Sequence, residues 1–331
     1  MRMIAVDMDG TLVGPDGRVS ARNLAAMKAA ERAGVEVVVA TGRRHCYAMR
    51  VLRELGLREE DALISSNGTV TRTIGARLLE RTLLPVETAR WLCGHVEEFR
   101  NALVMTFDKV GPDGEDARGS LVVEHLDELH ASIGKWMVAN EPYIAHVIPI
   151  ERALEWEAPI QMMLCGSIER MRRAEARLLE HPGVSAVGVT PLRKSEVRQL
   201  ERDGVTVSGI TPQERAPGAE AALHRTEYPE RDLSIVDILP AGCSKVSALL
   251  RRAKDRGVKA EEILAVGDNW NDVSMLEVAG RAVLMGNAPE ALKAMAAERG
   301  WIVGRRHDED GVAEAIEAVL DGRLSVPDSA V

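Results

Sequence analysis

The feature that most constrains the fold is the alternation of short apolar runs with helical segments at both ends of the chain. MIAVD, VEVVVA and DALIS are such runs near the N-terminus, and EEILAVG, RAVLMG and WIVG follow near the C-terminus. Between the first two runs lies a segment with helical spacing, which Ser20 can cap and Gly34 can end. Strands that alternate with helices are typical of parallel β-α-β units. The sequence therefore predicts an α/β fold with a doubly wound, mostly parallel sheet, whose ligand site lies at the carboxyl ends of the strands.

The middle of the chain, residues 82–232, breaks this rhythm. Strand candidates ALVMTFD, SLVVEHL and PIQMMLCG occur there together with a strongly helical stretch, SIERMRRAEARLLEH, and the part from 196 to 232 is loop-like. A chain of 331 residues is longer than one average domain. We therefore predict an α+β domain at 82–232, inserted into a core formed by 1–81 and 233–331.

The net charge and the cysteine pattern limit the binding partners and the cellular compartment that we expect. The formal net charge is −9, which argues against a general binder of nucleic acid or of anionic membranes. No apolar run approaches the ~20 residues of a membrane helix, and no apolar export signal is visible at the N-terminus. The four cysteines are scattered without a C-x-x-C pair, so reduced thiols in the cytoplasm are expected. Nothing in the sequence decides the oligomeric state.

Two carboxylates stand at the end of the first apolar run. Asp7 ends MIAVD, and Asp9 and Gly10 follow, although buried strands avoid unpaired acids. A carboxylate beside Mg²⁺ can attack phosphorus, and a second one can protonate the leaving group and later activate water. The alternative is a surface turn, in which an Asp-Gly pair is common.

Two further segments offer groups for an anion. Thr41 and Gly42 end the second strand, where a hydroxyl and successive backbone amides can hold phosphate oxygens, although Thr-Gly is also an ordinary β-α turn. Lys245 lies in the first turn of a predicted helix, where the helix dipole disfavours a cation, and this indicates an anionic partner. The alternative for Lys245 is a solvated surface lysine.

The turn GDNWND follows a third apolar strand. Asp268 and Asp272 stand there with two asparagines, one of them Asn271, and such a density of oxygen ligands suits Mg²⁺. The alternative is an Asx-rich turn in which Asp272 caps the next helix. Two weaker candidates are Asn67, which either contacts substrate or stabilises a turn, and Arg43, which either contacts an anionic substrate or faces solvent.

Together, DMDGTL, ATGR, Lys245 and GDNWND occur in an order that resembles the haloacid dehalogenase superfamily, and specifically its Cof-type phosphatase branch. The segments MGNAPEALK and DEDGVAEAI are also similar to that branch. The resemblance covers the core at both ends of the chain. It implies a Rossmann-like core and an α/β cap, inserted between the second and third motifs, that covers the active site.

The resemblance also implies roles for single residues. Asp7 is expected to be the nucleophile and a Mg²⁺ ligand, and Asp9 the general acid and base, whose backbone carbonyl also contacts the metal. Asp268 is expected to complete the metal ligands that the protein supplies. Thr41, Gly42 and Asn271 are expected to bind the phosphoryl group. Lys245 is expected to neutralise both the phosphoryl group and Asp7. Asp272 is expected to orient Lys245 or a metal-bound water.

The function expected from these roles is a Mg²⁺-dependent phosphatase of small phosphorylated metabolites, such as sugar phosphates or related monoesters, acting through an aspartyl phosphate. A phosphomutase or phosphotransferase on the same scaffold is the alternative, but Asp9 disfavours it because a carboxylate there activates water. A non-catalytic binding protein is disfavoured by the presence of Asp7, Asp268 and Lys245 together.

Overall fold

The structure is a computed structural model, and it describes residues 1–111, 114–125, 127–181, 183–186, 220–228 and 231–323. Most of the loop-like segment singled out above, from 196 to 219, lies outside these residues. The described chain divides into two compact units. The core unit comprises 1–79 and 244–323, and the insert unit comprises 80–186 and 220–243.

The first part of the chain forms alternating strands and helices followed by a hairpin. Ser20 caps the first helix as predicted, since its Oγ accepts a hydrogen bond from the Asn23 backbone N–H at 3.0 Å. The elements are β1 (Met3–Asp7), α1 (Ala21–Arg32), β2 (Glu36–Ala40), α2 (His45–Leu52), β3 (Ala62–Ser65), β4 (Val70–Thr73) and β5 (Leu78–Arg81).

The insert unit is built on a seven-stranded sheet. Its elements are α3 (Val86–His95), β6 (Leu103–Thr106), β7 (Leu121–Val123), α4 (Asp127–Asn140), β8 (Ile144–His146), β9 (Gln161–Gly166), α5 (Ile168–Leu178), β10 (Val184–Ala186), β11 (Ala221–Tyr228) and β12 (Leu233–Pro240). The strand order is β10-β11-β12-β9-β6-β7-β8. The pairs β10–β11 and β7–β8 are parallel, and the other pairs are antiparallel.

Strand β12 lies outside the predicted insert of 82–232. The sequence analysis placed residues from 233 onward in the core, whereas β12 pairs antiparallel with β11 along its whole length and with β9 along most of it. Two antiparallel strands can be joined by a short loop, whereas a strand that enters the parallel core sheet must be joined to its neighbour by a long crossover. The insert unit therefore runs on to Cys243.

The chain then returns to the core unit and resumes the β-α alternation. The elements are α6 (Lys245–Asp255), β13 (Ile263–Gly267), α7 (Val273–Val278), β14 (Arg281–Leu284), α8 (Glu290–Arg299), β15 (Ile302–Val303) and α9 (Gly311–Leu320). The core sheet has the order β15-β14-β13-β1-β2-β3-β4-β5. All pairs from β15 to β3 are parallel, and β4 is antiparallel to β3.

Strand β1 shows why this sheet has helices on both faces. Ile4 and Val6 pack in an apolar cluster with residues of α1, α2 and α9, whereas Met3 and Ala5 pack in a second cluster with residues of α6, α7 and α8. All four side chains are fully buried. A strand that is apolar on both faces needs such two-sided cover. The predicted doubly wound α/β fold is confirmed.

The described residues also bear on membranes and disulfides. Among them we found no helix with the length and apolar character needed to cross a bilayer. All four cysteines are buried thiols in the described part of the chain.

Candidate active site

The end of β1 is a tight turn that needs glycine. The Leu12 N–H donates to the Asp7 carbonyl at 3.2 Å, and the chain between them passes through Gly10 at φ +80°. A Cβ on Gly10 would overlap the Asp268 carboxylate. Glycine therefore serves both the left-handed backbone and the close approach of Asp268.

Lys245 is the first residue of α6, and its side chain lies in the interior. Its Nζ donates to Asp7 Oδ1 at 2.5 Å and to Asp272 Oδ1 at 2.8 Å, and the side chain is 1% exposed. Burial alone lowers the pKa of Lys245, but the charges of Asp272 and Asp7 outweigh burial and raise it. The lysine is therefore a charged bridge between two carboxylates and not a surface residue.

The start of α6 is fixed from two sides. Ser244 caps the helix, with its Oγ accepting from the Ser247 N–H at 3.1 Å. Gly68, in the turn between β3 and β4, has φ +96°, and a Cβ there would overlap the Ser244 carbonyl oxygen. The β3–β4 turn thus packs directly on the backbone that presents Lys245.

Asp272 stabilises its own turn and binds Lys245, but within the described residues its side chain makes no capping hydrogen bond to α7, so the predicted alternative of a helix cap is wrong. Its Oδ2 accepts from the backbone N–H groups of Asp268 at 3.1 Å and Asn269 at 3.2 Å, so it stabilises the turn. Its Oδ1 accepts from Lys245, so Asp272 also holds the lysine ammonium group in place. Asn271 lies in the same 3₁₀ turn and is half-buried.

Three carboxylates meet at this edge of the sheet and could hold a metal ion. One oxygen each of Asp7, Asp268 and Asp272 lies within 4.8 Å of the other two. Burial raises the pKa of Asp7 to about 7 and that of Asp268 to about 8, and repulsion from the neighbouring carboxylates adds to both shifts. One lysine does not balance three acids. The donor set therefore fits a divalent cation with a preference for oxygen ligands.

Asn287 is a residue of this site that the sequence analysis did not single out. Its Nδ2 donates to the Gly10 carbonyl at 2.8 Å and approaches Asp268 Oδ2 at 3.3 Å, and its Oδ1 accepts from the His307 N–H at 2.9 Å. Asn287 follows β14, the strand beside β13, so its position at a strand end was the available signal. It links the β1 turn to the carboxylate of Asp268.

If Mg²⁺ binds at these carboxylates, Asn287→Ala should weaken its binding about 10- to 100-fold, because partners that orient a metal-binding carboxylate contribute to metal affinity on that scale. Isothermal titration with Mg²⁺ measures this loss directly. Asn101→Ala is a matched control, since Asn101 is a half-buried hydrogen-bonding asparagine of the insert unit. Equal Mg²⁺ affinity in the two variants would contradict a role for Asn287 in orienting Asp268.

The loop after β2 brings Thr41, Gly42 and Asn67 together. Thr41 Oγ1 accepts from the Arg43 N–H at 3.0 Å, which leaves its hydroxyl hydrogen available to a ligand. The Asn67 N–H donates to the Thr41 carbonyl at 3.1 Å, and Asn67 Oδ1 lies 3.1 Å from the position of a Cβ on Gly42. The predicted phosphate loop and Asn67 are therefore neighbours.

Arg43 has a partner that neither of the predicted alternatives named. Its Nε donates to Asp9 Oδ2 at 2.9 Å, and its terminal nitrogen donates to Asp9 Oδ1 at 2.5 Å. The Asp9 side chain is 56% exposed and is not part of the group of three buried carboxylates. The structure thus joins Arg43 to the predicted general acid and base.

Comparison with known proteins identifies the family. A sequence profile of haloacid dehalogenase-like hydrolases matches residues 4–185 and 220–316, which is most of the chain. The chain belongs to this family. The predicted resemblance to the haloacid dehalogenase superfamily and its Cof-type branch is confirmed.

Two curated relatives of this haloacid dehalogenase-like hydrolase are phosphatases. The 5-amino-6-(5-phospho-D-ribitylamino)uracil phosphatase YwtE of Bacillus subtilis is 27% identical and covers 98% of this chain and 100% of its own length. The pyridoxal phosphate phosphatase YbhA of Escherichia coli is 29% identical, with 96% of this chain and 98% of its own length covered. The predicted enzyme class, a phosphoric monoester hydrolase, is confirmed.

A solved structure shares the fold. A haloacid dehalogenase-like hydrolase from B. subtilis superimposes with a TM-score of 0.68 at 24% identity, covering 96% of this chain and 99% of that one. The similarity extends over both units of the chain described above.

Proposed function

We propose that this haloacid dehalogenase-like hydrolase is a Mg²⁺-dependent phosphatase that acts on small phosphorylated metabolites through an aspartyl phosphate on Asp7. The observation that carries the proposal is the buried bridge from Asp7 through Lys245 to Asp272, with Asp268 beside it. A charge arrangement of this kind suits phosphoryl transfer, in which positioning and charge stabilisation supply most of the catalysis.

The residues proposed to hold Mg²⁺ are Asp7, Asp268 and the backbone carbonyl of Asp9. The raised pKa values of Asp7 and Asp268 support this assignment, because these carboxyl groups are buried among like charges. When bound, Mg²⁺ supplies positive charge that favours the ionised carboxylates and draws electron density from phosphoryl oxygens. Two side chains orient the Asp268 carboxylate. Thr11 Oγ1 donates to Asp268 Oδ1 at 3.2 Å, and Asn287 Nδ2 approaches Asp268 Oδ2.

Asp7 and Asp9 carry out the two halves of the reaction. The Asp7 carboxylate attacks phosphorus, a new O–P bond forms, and the ester bond to the leaving oxygen breaks. Asp9 donates a proton to that oxygen, and the alcohol departs. In the second half Asp9 takes a proton from water, which attacks the phosphorus, and inorganic phosphate leaves with Asp7 restored. Lys245 stays charged throughout and offsets the negative charge on Asp7.

The phosphoryl group is proposed to lie against the loop after β2. The Thr41 hydroxyl and the backbone N–H of Gly42 would donate to its oxygens, as would the side chain of Asn271. Asn67 supports this loop through its contact with Thr41. Each of these groups is neutral, so the positive charge on the substrate side comes from Lys245 and the metal.

The substrate class is proposed to be phosphate monoesters of small polar molecules. The two phosphatase relatives are named for a phosphorylated ribitylaminouracil and for pyridoxal phosphate, which support heterocyclic alcohols beside the sugar phosphates expected from the sequence. We further propose that the insert unit is the cap domain implied by the resemblance and governs the choice among such substrates.

Phosphate release from a panel of these esters tests the proposal. We expect turnover with Mg²⁺ and a loss of at least about 100-fold after treatment with EDTA, because Asp7 and Asp268 repel each other and a substrate dianion when no cation is bound. Restoring Mg²⁺ should restore the rate. Full turnover after thorough metal removal would refute the metal assignment, and phosphate transfer to added alcohols in place of water would favour a phosphotransferase.

A further inference from the structure

The contact between Arg43 and Asp9 has a geometry that restricts the carboxylate. Two nitrogens of the guanidinium face the two oxygens of Asp9, at 2.9 Å and 2.5 Å. Such a fork fixes both the distance and the plane of a carboxylate, which a single donor does not. The Arg43 side chain is 18% exposed, whereas that of Asp9 is 56% exposed. The arginine is the more enclosed partner.

Arg43 is anchored without the help of Asp9. Its N–H donates to Thr41 Oγ1 at 3.0 Å, and its carbonyl accepts from the Ser66 N–H at 2.8 Å. Its guanidinium carbon lies 4.9 Å from the centre of the ring of Tyr47, a residue of α2. The backbone and the side chain are therefore held by separate contacts.

The Asp9 carboxylate is less enclosed than the Arg43 guanidinium. It stands on the turn after β1 and is not part of the buried group formed by Asp7, Asp268 and Asp272. An exposed aspartate samples several rotamers unless a partner selects one. An exposed ion pair also adds little to stability, so the consequence of this one is the orientation that it imposes.

We propose that Arg43 is a positioning residue that acts on the reaction through Asp9, by holding its carboxylate in one orientation for proton transfer to and from the leaving oxygen. This inference rests on the proposed function, because it assigns Arg43 to the acid and base step of that reaction. It differs from direct recognition of the substrate by Arg43. An arginine that binds the substrate contributes with or without a carboxyl group at residue 9, whereas a positioning arginine has an effect only when that group is present.

A double-mutant cycle separates these roles. The variants are Arg43→Gln, Asp9→Asn and their combination, and the reading is the single-turnover rate of phosphorylation with an alkyl and with an aryl phosphate. Arg43→Gln should slow the alkyl ester about 10- to 100-fold, since misplacement by about 1 Å costs on that order. The aryl ester needs no protonation of its leaving group, so it should slow much less. Adding Arg43→Gln to Asp9→Asn should change neither rate by more than about twofold, because partners that act as a unit are non-additive.

Two further variants test whether the geometry of the Arg43 side chain, and not only its charge, is required. Arg43→Lys keeps the charge but not the fork, so it should recover only part of the loss on the alkyl ester. Arg50→Gln is the matched control, since the Arg50 guanidinium also lies over the Tyr47 ring, at 5.3 Å, and its rate should equal that of the wild type. Equal losses on both esters, or a full additional loss in the Asp9→Asn background, would overturn the proposal.

Binding of inorganic phosphate in the presence of Mg²⁺ provides a reading without turnover. Titration calorimetry should give the same affinity for Arg43→Gln and wild type within about twofold, because the proposal gives Arg43 no contact with the phosphoryl group. A tenfold loss would assign Arg43 to the substrate and overturn the proposal. A wild-type protein that hydrolyses no phosphate ester would refute the proposed function itself, whereas an active wild type with additive variants refutes only the role of Arg43.

Discussion

Asp7→Asn is expected to abolish phosphoenzyme formation and to leave the protein folded. The amide has the shape of the carboxylate and can still accept the hydrogen bond from Lys245, but it is a poor nucleophile toward phosphorus. Turnover should fall by at least about 10⁴-fold, a loss of the size seen when a catalytic nucleophile is removed. Rapid quenching with a ³²P-labelled substrate measures the phosphoenzyme, and circular dichroism measures the fold.

Two variants serve as controls for Asp7→Asn. Asp9→Asn should still form the phosphoenzyme from an aryl phosphate, because the aryl leaving group departs without a proton, and should then hydrolyse it slowly. Asp16→Asn makes the same chemical change in an exposed turn, where the Asp16 carboxylate accepts from the nearby Arg18 N–H, and should behave as wild type. A labelled phosphoenzyme trapped in Asp7→Asn would overturn the assignment of the nucleophile.

Lys245→Met is expected to damage both the reaction and the fold. Loss of the ammonium leaves Asp7 and Asp272 buried without their shared counter-charge, which costs on the order of 3–5 kcal/mol of unfolding free energy when one partner of a buried pair is removed. The rate of the folded fraction should fall by about 10²–10³, the scale for removing one group that stabilises charge in the transition state. Urea unfolding and initial rates measure the two effects separately.

Arg252→Met is the matched control for Lys245→Met. Arg252 is a buried cation two turns further along α6, where its Nε donates to Glu36 Oε1 at 2.6 Å. Its removal should also cost stability, but less than Lys245→Met, because Glu36 Oε2 still accepts from Arg256 Nε at 2.6 Å. The folded enzyme should keep its rate, since Glu36 lies at the opposite end of β2 from Thr41. If both variants lost stability and neither lost rate, Lys245 would be a structural residue and not a catalytic one.

Much of the core unit could be predicted because one rule places its polar residues. Parallel strands have their carboxyl ends at the same edge of the sheet, so residues after different strands meet there. Asp7 ends β1, and Thr41 and Asp268 follow β2 and β13. These three strands are neighbours in the sheet. Lys245 was accessible by a second rule, because a lysine in the first turn of a helix is electrostatically unfavourable unless an anion is near.

The remaining features depend on contacts that a linear pattern does not contain. Asn287 obeys the same strand-end rule, but only the pairing of β14 with β13 brings its amide to Asp268. The partner of Arg43 depends on a side-chain orientation that local sequence leaves free. For β12 the apolar pattern is compatible with either sheet, and the long antiparallel register with β11 decides between them.

The central place of β1 in the core sheet also has a consequence for synthesis on the ribosome. Its two neighbours are β2, which follows closely in the chain, and β13, and about 220 residues separate Ala40 from Ile263. At roughly 5–20 residues per second, the second neighbour emerges roughly 10–45 s after the first. During that interval the apolar strand that ends in the nucleophile has one edge without its native partner, and unpaired apolar edges recruit other chains. The nascent chain therefore has a window of exposure to aggregation that the finished enzyme does not have.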